Sequence, residues 1–335
     1  MYWYNDEGKE RDVFVSSRVR LARNLADYPF EPYLTDKDAA EIIDKVCGAL
    51  NEKKGYSFID FSALAENEKL SMVERHLVSP DMAEKTTRSA IVENEQEGLF
   101  VMLCEEDHVR IQAIRTGFDI QGAFKSACKA DDLIDAAVDV AYDEKLGYIT
   151  HCPTNLGTGM RASVMMFLPA LTMTGRIKGI QNQLTKLGLC VRGMTGEGSA
   201  AKGCLYQFSN SVTQGVSEED IITNLEEAVK QIASKERDLR KELLCNSSDE
   251  LRDRVMRAWG TMKYAWILSS DEMLRLYADV RLGVSLGIIT EIDEKGLDSL
   301  IFECMPATLC VSAGGELPGD KRDRLRAQKI RERLA

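Results

Sequence analysis

The sequence predicts an α+β protein in two parts, mixed over residues 1–245 and all-helical over residues 246–335, and three observations carry that reading. Two short apolar runs, 99–103 and 109–114, flank the polar turn Glu105-Glu106-Asp107 as the arms of a hairpin would. A second pair, 187–191 and 205–209, flanks the glycine-rich stretch Arg192-Gly193-Met194-Thr195-Gly196-Glu197-Gly198. Beyond the polar run Asn246-Ser247-Ser248-Asp249, every periodic segment repeats at helical spacing. A length of 335 residues suits about two domains, and 44% hydrophobic residues can build a real core.

Taken in order, residues 35–50 read as a helix, with Thr35 and Asp38 as a capping pair and Ile42, Val46 and Leu50 on one face. A second helix is expected over 131–145, with Leu133, Ala137, Val138 and Ala141 as its stripe and Gly147 as its stop. In the strand 109–114, alternation puts His108, Arg110 and Gln112 on one face and Val109, Ile111 and Ala113 on the other. A polar strand face either meets water or lines a site, and this segment alone does not separate the two. A long helix begins at Ser217, capped with Asp220, and its stripe is Ile221, Ile222, Leu225, Val229, Ile232, Leu239 and Leu243. Four more helices are expected, at 248–266, 270–282, 290–301 and 319–334.

Composition removes several function classes. With 43 Lys+Arg against 54 Asp+Glu the net charge is −11, which opposes broad adhesion to nucleic acid or anionic lipid. The longest apolar candidate, 164–171, contains Pro169 and falls far short of the roughly 18–20 residues of a membrane span. The N-terminus lacks a basic-then-apolar signal pattern, so a cytoplasmic location is expected. Nine scattered cysteines without a Cys-x-x-Cys pair argue against a disulfide framework or a structural zinc, and no resident metal is expected.

The common nucleotide motifs are missing: no P-loop, no Gly-x-Gly-x-x-Gly after a strand, no His-Arg-Asp loop. Arginine stands out instead. Arg18 and Arg20 alternate onto one face of the segment Ser16-Ser17-Arg18-Val19-Arg20, Arg110 sits on the polar face above, Arg161 follows the turn 155–160, and Arg192 opens the glycine-rich stretch. Each alone suits a surface ion pair. Converged, five guanidinium forks could replace a P-loop as a polyphosphate cradle.

The segment His151-Cys152-Pro153-Thr154-Asn155-Leu156-Gly157-Thr158-Gly159-Met160-Arg161-Ala162-Ser163 resembles the signature of the phosphagen (guanidino) kinases, and the resemblance extends over about residues 13–240. It implies a largely antiparallel sheet flanked by helices, with ATP and Mg²⁺ as the phosphoryl donor. It further implies that Ser16, Ser17, Arg18, Val19, Arg20, Arg110, Arg161, Ala162, Ser163, Val164, Met165, Arg192, Gly193, Met194, Thr195, Gly196 and Glu197 form the nucleotide site, with His76 against the base. By the same resemblance, Glu106 and Glu197 grip the acceptor guanidinium beside Cys152. A guanidinium is a poor nucleophile at neutral pH, so carboxylates that align it and accept its proton make chemical sense.

Typical members carry a helical domain ahead of the Ser-Ser-Arg-Val-Arg strand, which here begins at residue 16, so that domain is expected to be absent; 90 residues instead follow the core. This layout resembles the bacterial McsB-type protein-arginine kinases, which phosphorylate arginines displayed on other proteins. The tail Lys321-Arg322-Asp323-Arg324-Leu325-Arg326-Ala327 carries their Arg-Asp-x-x-Arg-Ala motif, implying a phosphoarginine-binding regulatory pocket at Arg322, Asp323, Arg326 and Ala327. Residues 320–335 hold a local charge of +4, and Arg322 and Arg326 are i,i+4 neighbours expected to clamp a phosphate. The resemblance further implies ClpC–ClpP, the CtsR repressor and an McsA-type activator as partners, and a homodimer held by the helical part. The rival readings are a kinase of free arginine or another small guanidine, and a silent phosphoarginine-binding adaptor.

Overall fold

In a computed structural model, residues 2–51, 55–193 and 202–335 are described. Eight strands form one sheet: β1 (Phe14–Arg23), β2 (Ser57–Asp60), β3 (Ala90–Asn94), β4 (Leu99–Leu103), β5 (Val109–Thr116), β8 (Met160–Phe167), β9 (Leu189–Gly193) and β10 (Leu205–Asn210). Their order is β2-β3-β4-β5-β1-β8-β10-β9 and every pairing is antiparallel. Two short strands, β6 (Tyr142–Asp143) and β7 (Gly147–Tyr148), pair separately.

One face of the sheet is covered by α1 (Asp36–Asn51), α4 (Ile120–Asp135), α5 (Pro169–Met173), α6 (Ile177–Thr185) and α7 (Glu218–Asn246). Their apolar stripes meet Val19, Leu21, Val101, Ile111, Ala162, Val164 and Phe208, the alternate residues of the strands, in one core. The caps read from sequence close here: Thr35 Oγ1 accepts from Asp38 N at 3.2 Å, and Ser217 Oγ from Asp220 N at 3.0 Å.

The other face divides. Val15, Ile91, Phe100, Met102, Ile114, Met165, Phe167 and Leu205 pack beneath α8 (Ser248–Tyr264), α9 (Ser270–Ser285), α10 (Glu294–Glu303) and α12 (Gly319–Leu334). The N-terminal Trp3 and Tyr4 complete this second core, stacking around Phe302 at centroid distances of 5.0 and 5.1 Å. The rest of that face, toward the carboxyl end of β1, carries polar side chains beneath α2 (Glu66–Glu74) and α3 (Pro80–Glu84). The chain breaks helix at Ser247, between α7 and α8.

Two expectations change. The helix expected at 131–145 is α4, which begins at Ile120 and stops at Asp135. Asp119 accepts from Gly122 N at 3.1 Å and starts the helix early, so the buried stripe is Ile120, Ala123, Ala127, Ala130 and Ile134. Residues 136–148 instead pin β1: Ala141 N donates to Asn24 O at 2.8 Å. The second change is an additional helix, α11 (Pro306–Ser312), whose cap comes from far away in sequence. The Glu74 carboxylate accepts from Ala307 N and Thr308 N, both at 2.8 Å.

Candidate active site

Strand order places β5, β1, β8, β10 and β9 side by side, and alternation turns Arg110, Arg18, Arg20, Arg161 and Arg192 to the same polar face. Arg20 and Arg161 are direct cross-strand partners. Like charges so opposed destabilise a sheet unless something compensates them. Arg110 has a carboxylate partner, Glu105 at 2.6 Å, which is fully buried and outweighs the cost of burying Arg110. Among the described residues, Arg18 reaches the neutral groups Ser163 Oγ and Gln112 Oε1, each at 3.5 Å. Burial, and then Arg110 and Arg161, push Arg18 down to about 10, and burial followed by Arg18, Arg110 and Arg161 pushes Arg20 well down. Arg20 Nε is buried with no hydrogen-bond partner. Arg18 and Arg20, so placed, fit a polyanion, and a nucleoside triphosphate supplies both the charge and the acceptor oxygens.

Two adjoining cavities share Arg20, Arg110, Arg192 and Asp81. The larger, about 630 Å³, runs from these arginines to His76, Val78, Phe302 and Met305. His76 sits in the left-handed region at φ 59°, ending α2 so that its ring meets Phe302 edge-on at 5.5 Å. Burial, with Arg18 nearby, lowers it to about 3, so the ring is neutral.

The smaller cavity, about 300 Å³, joins Arg161 to Glu106, Cys152, Thr154 and Asn155. Glu106 is half-buried at the β4–β5 turn, and burial first, then Asp107 and Glu105, raise its pKa. Its neighbours hold the turn in place. Glu105 accepts from Glu106 N at 2.9 Å and from Ser79 Oγ, the cap of α3. Asp107 Oδ1 accepts from Asn24 Nδ2 and His151 N, both at 2.7 Å. His108 accepts from Leu25 N at Nδ1, so its Nε2 donates to Pro29 O at 2.8 Å. Cys152 Sγ lies 3.1 Å from Thr154 Oγ1. Its loop is held by Thr213 Oγ1, which donates to Thr154 O and Leu156 O at 3.1 and 2.7 Å. Only glycine fits at 157, where φ is 109° and a Cβ would lie 2.3 Å from Thr213 O.

Other expected nucleotide residues lie elsewhere. Strand alternation turns the side chains of Val19, Ala162 and Val164 into the opposite core, and Met165 packs beneath the C-terminal helices. Ser17 Oγ donates to Gly117 O and accepts from Asp119 N, bracing α4. Ser16 is buried and lines neither cavity, while Ser163 supports Arg18. Gly193 pairs with Tyr206 across β9 and β10. Met194, Thr195, Gly196 and Glu197 lie outside the described residues.

The tail also departs from expectation. Arg326 is not on the outer face with Arg322; it is 1% exposed and donates to Cys304 O, Leu268 O and Asp323 Oδ1 at 2.8, 2.8 and 2.6 Å. These acceptors engage its Nε and Nη1, so the guanidinium is held inward and not on the outer face that i,i+4 spacing suggests. Ala327 is buried, and Arg322 and Asp323 are partly exposed. Sequence reasoning missed Asn24, Ser79 and Asp81. Ser79-Pro80 with Asp81 was a readable helix start, whereas Asn24 acts only through tertiary hydrogen bonds.

An arginine cradle opening onto a carboxylate pocket is what phosphoryl transfer to a guanidine demands. The chain matches the ATP:guanido phosphotransferase C-terminal catalytic domain over residues 38–239, which places it among the guanidino phosphotransferases. Residues 248–335 match the protein-arginine kinase McsB C-terminal domain, and the chain belongs to the protein-arginine kinase family. It is 42% identical to the protein-arginine kinase of Pelotomaculum thermopropionicum, covering 100% of this chain and 96% of that one. It is 40% identical to that of Clostridium acetobutylicum, covering 99% of each. Among solved structures it shares its fold with lombricine kinase (TM-score 0.62, 22% identity, 70% of this chain and 69% of that one). It also resembles the duplicated taurocyamine kinase of Schistosoma mansoni (TM-score 0.61, 25% identity, 79% and 38%). Among the described residues, no helix is long and apolar enough to cross a membrane.

Proposed function

We propose that the enzyme transfers the γ-phosphoryl group of ATP to arginine side chains displayed on proteins, with Glu106 as the base. The observation that carries this reading is the shared wall of the two cavities, where Arg20, Arg110 and Arg192 separate a nucleotide-sized cleft from the pocket of Glu106 and Cys152. A γ-phosphate held at that wall faces an acceptor nitrogen held by Glu106. As the N–P bond forms, the nitrogen's proton passes to Glu106, the bond from phosphorus to the bridging oxygen breaks, and its electron pair leaves with ADP. The raised pKa of Glu106 suits a base that must hold that proton. The arginines stabilise charge on the transferring group and were placed by folding, before the reaction. By the resemblance, Mg²⁺ would accompany the nucleotide and help neutralise its phosphate charge. Glu197 is assigned to the same guanidinium on the resemblance alone.

Phosphoarginine so formed would mark proteins for ClpC–ClpP and inactivate CtsR, in bacterial stress response and quality control, with an McsA-type activator and a homodimeric enzyme. Arg322 and Asp323, partly exposed at the start of α12, are the residues assigned to a regulatory phosphoarginine. Arg322→Ala should weaken activation by phosphoarginine while ATP binding persists; unchanged activation rejects that assignment. The substrate class is tested by comparing turnover on free arginine with turnover on an arginine-bearing protein. The reading predicts that the protein is strongly preferred, and preference for the free amino acid would replace it with a small-guanidine kinase.

A further inference from the structure

The apolar lining of the larger cavity does not come from the sheet. Beside His76 it is supplied by the end of α10 and the residues just after it: Ile301, Phe302 and Met305. Phe302 is a hub, packed edge-on against His76 and Trp3 at 5.5 and 5.0 Å and stacked on Tyr4 at 5.1 Å. Met305 is only partly buried, so its thioether side chain is the adjustable part of this wall. The other side of the cleft is tied to the same segment. Glu74, two residues before His76, accepts from Ala307 N and Thr308 N, and Ser71 Oγ lies 3.1 Å from Thr308 Oγ1. The same cavity is lined by Arg18, Arg20, Arg110 and Arg192 of the sheet.

We propose that the nucleotide site is composite, with the sheet's arginines binding the triphosphate and the C-terminal helical segment, through Met305, Ile301 and Phe302, supplying with His76 the surface against which the base packs. The inference rests on the reading of the arginine cleft as the ATP site. A flat aromatic base against a surface made of a neutral imidazole and apolar side chains is held by dispersion and desolvation rather than by charge. The two halves of the ligand are then bound by different parts of the chain through different physics.

That separation gives the test. The full-length enzyme and its Met305→Ala, Ile301→Ala and Arg20→Ala variants are compared for KM of ATP, KM of an arginine-bearing protein, and competitive inhibition by inorganic tripolyphosphate, which has no base. Met305→Ala is expected to raise the KM for ATP about fivefold, the loss of most of one apolar contact surface. The KM for the protein and the tripolyphosphate inhibition constant should hold. Ile301→Ala should follow the same pattern, guarding against a local effect of one side chain. Arg20→Ala should weaken ATP and tripolyphosphate together. If the wall variants leave the KM for ATP unchanged while Arg20→Ala raises it, the cleft binds ATP but the composite wall is wrong. The inference also falls if the wall variants weaken tripolyphosphate as much as ATP, because the segment then acts on the whole cleft and not on the base. If Arg20→Ala alters neither ligand, the cleft reading itself fails.

Discussion

In the proposed reaction Glu106 concentrates the chemistry in one side chain. Burial and two flanking carboxylates, Asp107 and Glu105, raise its pKa, so a base in this position loses activity as pH falls through a value above the ordinary carboxylate range. The acid limb of kcat/KM should therefore lie above that range, and a pH–rate profile measures it. Glu106→Gln removes the proton acceptor and should lower kcat by about 10²–10³-fold with ATP affinity retained. Unchanged turnover would remove Glu106 from the mechanism. His76, lowered to about 3, should contribute no inflection between pH 5 and 8. At this scale the sequence was informative about identity and silent about surroundings. Arg18, Arg20, Arg110, Arg161, Glu106 and Cys152 could be picked out as residue types in motifs. No structural role for Glu105 was legible in the sequence, because that role is a buried contact to Arg110 and to Ser79. Arg326 shows the same limit: i,i+4 spacing placed it beside Arg322, but carbonyls of Cys304 and Leu268 draw it inward.

Among the elements, α3 and the loop before β8 connect distant chain segments to the two cavities. Ser79 caps α3 through Met82 N and donates to Glu105, so one hydroxyl links the helix to the catalytic turn. Ser79→Ala should cost about 1 kcal/mol of stability as a lost cap and also lower kcat, since Glu105 then holds Arg110 and Glu106 N less firmly. Thermal unfolding and steady-state kinetics read the two effects, and a stability loss without a kinetic one would make Ser79 only a cap. Gly157→Ala forces a Cβ onto Thr213 O, so the loop bearing Cys152 must move. A loss of about 1–3 kcal/mol in chemical denaturation is expected, and a neutral outcome would contradict the backbone argument. Short apolar runs revealed β4, β5, β9 and β10, and periodicity the long helix at Ser217, whereas β2, β3 and β8 were not read from the sequence. The position of α4 was misjudged because its starting signal, Asp119, follows Gly117 and Phe118, which read as loop. The cap of α11 is supplied by Glu74, more than two hundred residues away, and no local window contains it.

Over the whole molecule, acidic balance and arginine chemistry coexist because charge is sorted. A net charge of −11 coexists with five arginines on one sheet face and a positive tail. The helices from α8 onward share a core with the sheet, and a buried network seals the junction. Asp298 accepts from Arg281, Arg11 and Tyr277, at 2.7 Å from Arg281 Nε and from the tyrosine hydroxyl. Asp298→Ala leaves Arg281 buried and uncompensated and should cost about 3–5 kcal/mol in urea unfolding. A loss below about 1 kcal/mol would show that the junction does not depend on the pair. The change from mixed to all-helical sequence was legible near residue 245, but the shared core was not, since apolar stripes do not name what they pack against.

The central claim is that this arginine-lined cleft and Glu106 phosphorylate arginine on proteins. Mass spectrometry of a protein substrate after incubation with ATP, under conditions that preserve the N–P bond, tests it most directly. The account predicts phosphoarginine with the wild-type enzyme and its near disappearance with Glu106→Gln. Phosphate found only on serine, threonine or tyrosine, or an unchanged phosphoarginine yield in the variant, would contradict it.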